Sequence, residues 1–131
     1  MKYILMMSAT KETFEWYSKW PKEDLQKNFA FMRAFSKELK DAGVFVASEG
    51  LAWPDQAKIV RAGPNGEPIT DGVFPESKEF LAGYWIVDVE SAEEAYRIAA
   101  RCSLAPAPAG TPGTMPLEVR QIMSGPPEEF S

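Results

Sequence analysis

Gly83-Tyr84-Trp85-Ile86-Val87-Asp88-Val89-Glu90-Ser91-Ala92-Glu93-Glu94 decides the fold of this chain. Its first seven residues are rich in β-branched and aromatic side chains, the composition of a strand. Strand alternation sends Trp85, Val87 and Val89 to one side and Tyr84 and Ile86 to the other, and both sides are apolar. Ser91 followed three residues later by Glu94 is a capping-box spacing and opens a helix. Ala92, Ala95, Tyr96 and Ala99 share one face of that helix. Beyond a Pro/Ala/Gly-rich loop from Pro106 to Pro116, Leu117–Met123 reads as a further strand. The second half of the chain is therefore a β-α-β unit.

The first half repeats the pattern. Lys2–Met7 is a strand, followed by a polar-aromatic connection. Pro21 suits a first helical turn, and Glu23 and Asp24 sit at the positive end of the helix dipole. Leu25, Phe29, Met32, Phe35 (or Ser36), Leu39 and Ala42 recur at helical spacing, and Gly43 is a stop. Val44–Ser48 is the second strand. Between the two units, Ala57–Ala62 and Glu67–Thr70 flank Gly63-Pro64-Asn65-Gly66, whose Asn-Gly step favours a tight hairpin. The expected fold is α+β: a ferredoxin-like βαβ-βαβ domain with an inserted β-hairpin. A single domain over residues 1–123 is expected, with 124–131 as a C-terminal tail.

Two helices cover one face of a sheet, yet these strands are apolar on both. Tyr3, Leu5 and Met7 oppose Ile4 and Met6; Val44 and Val46 oppose Phe45 and Ala47. A bare face of several hundred Å2 exceeds what soluble monomers usually show, and covering it contributes on the order of 10 kcal/mol before association costs. Either two copies pack face to face as a homodimer, or the aromatic connection and the hairpin fold over the sheet. The homodimer is the expectation.

Composition excludes several kinds of chemistry. Nineteen acidic against fourteen basic residues give a net charge of −5, which disfavours nucleic acid as a partner. With no histidine, Ser-His and Cys-His nucleophilic pairs and His-ligated metals are ruled out. The lone cysteine, Cys102, allows no intrachain disulfide and reads as a small buried residue. No cofactor or metal site is expected. No apolar run reaches the ~18 residues of a membrane span, and no signal peptide is evident, so a cytoplasmic location with no membrane partner is expected.

One stretch is more specific than the rest. Asp71-Gly72-Val73-Phe74, Glu76-Ser77-Lys78-Glu79 and Gly83-Tyr84 resemble the signature of the YCII-related proteins, in the branch named for its Asp-Gly-Pro-Phe (DGPF) motif. Lys2-Tyr3-Ile4-Leu5, Ala42-Gly43-Val44, Glu49-Gly50-Leu51 and Leu117-Glu118-Val119-Arg120 extend the likeness. The resemblance implies a dimeric α/β-barrel assembly with a cleft between sheet and helix. It departs in two places. Val73 stands where the motif has proline. The histidine that the wider family pairs with an aspartate has no counterpart here, Met32 lying near that position, so a dyad mechanism does not transfer.

The candidate site residues each carry two readings. Asp71 is a turn cap or a carboxylate at the cleft, and Glu49, at a strand end, is its weaker companion as a catalytic candidate. Lys78 belongs to a solvated charge run or holds an anionic ligand. Phe74 anchors a turn or lines a pocket. Phe14, Trp16, Tyr17 and Trp20 form a flap over the sheet or dimer rim, or a wall for a planar or apolar ligand, and Trp53 invites the same pair. The functional expectation is a metabolite-binding or regulatory module at a dimer-associated cleft. The alternative is a cofactor-independent enzyme, isomerase- or lyase-like, that uses carboxylates on a small aromatic or polar metabolite.

Overall fold

The structure is a computed structural model that describes residues 1–71, 78–108 and 113–125, with residue 71 described by its backbone alone. Along the chain run β1 (Lys2–Ala9), α1 (Lys11–Ser18), α2 (Lys22–Asp41), β2 (Phe45–Gly50), β3 (Ile59–Ala62), β4 (Pro68–Asp71), β5 (Phe80–Asp88), α3 (Ala92–Cys102) and β6 (Leu117–Gln121). No helix among the described residues is long and apolar enough to cross a membrane.

Four strands make one antiparallel sheet in the order β2-β5-β1-β6. This is an α+β fold in which two βαβ units interleave, compatible with a ferredoxin-like domain. Both βαβ units and the inserted hairpin are where the residue pattern puts them. In the hairpin, Ile59 pairs with Asp71 and Ala62 with Pro68, and Gly66 takes φ 79°, the left-handed conformation its turn requires.

The connection from Thr10 to Trp20 is a departure: it contains α1. The Thr10 side chain caps this helix by accepting from the Thr13 N–H. The aromatic residues that obscure a helical period in this stretch do so because none of them enters the core: α1 buries no residue fully.

α2 ends as its sequence directs. Gly43, at φ 75°, lets the Gly43 and Val44 N–H groups turn back to the Lys40 and Leu39 carbonyls. Its inward face differs in part from the one read by spacing. Phe35 and Leu39 are buried, but Phe29 is 48% exposed and Ala42 is exposed, while polar Asn28 is buried. In α3 the Ser91 side chain accepts from the Glu94 N–H, and the Glu94 carboxylate accepts from the Glu90 N–H. Its buried face is Ala95, Ile98, Ala99 and Cys102, with Tyr96 outside at 54% exposure. The stripe is rotated by about one residue from the expected one, since bulky Ile98 enters the core in place of Tyr96.

Both α2 and α3 lie on one side of the sheet. Tyr3, Leu5, Trp85, Val87 and Val89 meet Phe35, Leu39, Ala95, Ile98, Ala99 and Cys102 in a single core. On the opposite side, the register aligns Ala47, Ile86, Ile4 and Arg120 in one row and Glu49, Tyr84, Met6 and Glu118 in the next. The Ile4, Met6, Tyr84 and Ile86 side chains there are half-buried.

Candidate functional site

The core does not fill the layer between sheet and helices. Along one face of α2, from Asn28 to Lys40, the two separate around a cavity of about 800 Å3. The sheet side of this cavity is built from small residues. Ala9 ends β1, Ala82 and Gly83 belong to β5, and Ser48 and Gly50 to β2. A β-bulge opposite Ala82, where Met7 pairs with Gly83 and Ser8 with Leu81, bends the strands at this place. Gly83 suits the close approach of β2: a Cβ there would stand 3.0 Å from the Glu49 carbonyl oxygen, a tight contact.

The helix side comes from α2 in two rows. The inner row is Asn28, Met32 and Ser36; the outer row is Phe29, Arg33, Lys37 and Lys40. α1 closes one end with Phe14, Trp16, Tyr17 and Trp20. These rings hold one another. Trp16 packs edge-on against Trp20 at 5.0 Å between centroids, Tyr17 lies 4.8 Å from Trp20, and Phe14 lies 5.6 Å from Trp53 across the opening. Burial pushes the Tyr17 phenol above its ordinary pKa. The buried Trp20 indole N–H has no hydrogen-bond partner among the described residues.

Other polar groups inside, on Asn28, Ser36 and Trp85, are held. The Asn28 amide donates to the Pro106 carbonyl at 3.0 Å, and its oxygen faces the Tyr17 hydroxyl at 3.5 Å. The Trp85 indole donates to the Ser36 hydroxyl at 3.2 Å, and the Trp85 ring stands edge-on to Phe35 at 5.7 Å. At the inner end Cys102 closes the cavity, its thiol pushed up to about 12 by burial. A thiol this hard to ionise is not a nucleophile, in keeping with its reading as a small buried residue.

The candidates drawn from sequence fall in different places. Trp16 and Trp53 both line the cavity, 50% and 42% exposed, at its mouth. Glu49 borders it along β2, but pairing with Tyr84 puts its side chain in the row that belongs to the uncovered face. Lys78 is exposed and is not part of the lining. Asp71 closes β4 opposite Ile59; its side chain, and with it any approach to Glu49, lies outside the described residues, as does Phe74. Among the described residues, no three His, Cys, Asp or Glu side chains gather as they would to hold a metal.

Sequence reasoning missed Asn28, Ser36, Ser48 and the cationic row of α2. The signal available was a run of small residues, Ala82-Gly83 and Ser48, on strands otherwise made of large ones. Nothing in the linear pattern shows that they face one another.

A family model for the YCII-related domain matches residues 1–116. The chain belongs to the YCII-related domain family. No curated protein matches this family member closely enough to lend it an activity.

Proposed function

We propose that this YCII-related protein is a metabolite-binding or regulatory module whose site is the apolar cavity between α1, α2 and the sheet. The observation that carries the reading is the cavity itself. Its volume of about 800 Å3 falls within the range of small-molecule sites, and aromatic and aliphatic side chains dominate its lining. Binding is favoured over turnover by the nature of the polar groups present: Asn28, Ser36 and the Trp85 indole already satisfy one another or the backbone. Among the described residues, Glu49 is the only carboxylate of the lining, and it belongs to the uncovered face.

In this proposal the molecule works as a homodimer of the dimeric α/β-barrel kind, built on the face that carries Ile4, Met6, Tyr84 and Ile86. Support comes from where the remaining elements go. α1 packs on the helix side, and among the described residues β3 and β4 pair with each other rather than with the main sheet. The aromatic connection lines the cavity and β3 is exposed along its length, which favours a second copy as the cover of that face.

A thermal-shift and tryptophan-fluorescence screen with small aromatic and aliphatic compounds tests the site. Binders are expected to raise Tm and to perturb Trp16 and Trp53, and Ser48→Trp, which fills the cavity from β2, is expected to remove both effects while the fold persists. Binding that survives Ser48→Trp places the site elsewhere. Sedimentation equilibrium at micromolar concentration tests the assembly: a dimer that Ile86→Arg dissociates is expected, and a single-chain species for the unaltered protein ends the paired model.

A further inference from the structure

Charge is distributed against the trend of the whole molecule at the cavity mouth. The chain carries fourteen basic and nineteen acidic residues. Yet among the described residues the charged side chains lining the cavity are Arg33, Lys37 and Lys40 against Glu49 alone, and Glu49 belongs by register to the other face of the sheet. The three cations lie four and three residues apart on the outer row of α2, so that Arg33 and Lys40 stand about 10 Å apart along one lip. They are not equally engaged. Lys37 is held by Asp41 at 2.7 Å, and that hydrogen bond raises its pKa. Lys40 lies over the Phe45 ring, its ammonium 4.8 Å from the centroid, a contact that leaves the cation's outer side open. Arg33 is exposed and has no ion pair among the described residues. Behind this lip lie Met32, Met7, Trp85 and the α1 aromatics, with no cation among them.

We propose that the cavity takes an amphipathic anion, an apolar aromatic or branched body lodged in the hollow with a carboxylate or sulfonate-like head against Arg33 and Lys40. This rests on the cavity being the binding site and adds the class of ligand. Arg33 supplies a planar fork of donors suited to a carboxylate, and Lys40 a point charge beside it.

Two fluorescent probes that share one ring system separate the contributions: 1-anilinonaphthalene-8-sulfonate, an anion, and N-phenyl-1-naphthylamine, its uncharged counterpart. Both are expected to bind the native protein and to be lost in Ser48→Trp. Arg33→Gln is expected to weaken the sulfonate about three- to five-fold, as for an exposed ion pair, and the double variant with Lys40→Gln about ten-fold. The same variants are expected to move the uncharged probe less than about two-fold. Raising salt from 0.02 to 0.5 M, which shortens the screening length about fivefold, weakens the sulfonate alone. If both probes bind and the variants affect them equally or not at all, the anion proposal is overturned while the cavity remains a site. If neither probe binds, the cavity reading fails with it.

Discussion

Two faces of α2 lie over the same sheet and are packed in opposite ways. On one, Phe35 and Leu39 enter a closed core with Leu5, Val87 and Ile98. On the other, Asn28, Phe29, Met32 and Ser36 look across a hollow toward Ala9, Ala82, Gly83 and Ser48. Both faces belong to one continuous helix, so the difference is one of side-chain volume. Interiors normally close such gaps, because unfilled space forfeits contacts on all its walls. A hollow survives when the frame around it is stiff, and here the filled face of the same helix supplies the stiffness. Under the proposed function, α2 divides stability and binding between its two faces.

Substitutions on the two faces sharpen that contrast. Leu39, 1% exposed, is the test of the filled face: Leu39→Ala is expected to cost about 3 kcal/mol by urea unfolding, from lost burial and the cavity left behind. A cost below about 1 kcal/mol shows the filled face to be as loose as the hollow one.

Cys102 belongs both to the closed core and to the cavity wall, and so marks their border; its effect is smaller. Burial pushes its thiol up to about 12, whereas an unfolded thiol titrates near 8.5. The folded state therefore keeps a proton that the unfolded state gives up. Its contribution is complete below about pH 8.5 and declines by about 1.4 kcal/mol per pH unit above it, until the folded thiol itself ionises. Between pH 8 and pH 10 the wild type is expected to lose about 2 kcal/mol more stability than Cys102→Ala does. Parallel pH curves for the two proteins indicate water at the border and blur the division.

Phe29 gives the smallest effect on stability. It is 48% exposed and lines the hollow, with its ring 6.5 Å from that of Tyr17. Phe29→Ala is expected to cost about 1 kcal/mol or less, while affinity for a cavity probe falls several-fold. An unfolding cost matching that of Leu39→Ala erases the comparison, since both faces then act as core.

Local signals carried the elements because they are local in origin. The Ser91 cap, the Gly43 stop, the Asn65-Gly66 turn and the two-sided apolar strands each depend on a few neighbouring residues. Trp16 and Trp53 stood out by composition and do border the hollow. α1 escaped notice because its aromatic residues face a cavity rather than a core, which removes the period that marks an amphipathic helix. Phe29 misled for the same reason.

The amino-acid order alone determined the order of the strands and of the two sheet-covering helices, the two-sided apolar character of the sheet and the lack of histidine chemistry. Tertiary structure decided which small residues confront each other. Ala82 and Gly83 meet Ser48 and Gly50 only through the pairing of β5 with β2, and all of them meet Ser36 only because α2 crosses above. Packing volume is a property of residues far apart in the chain, so a hollow leaves no local pattern to read.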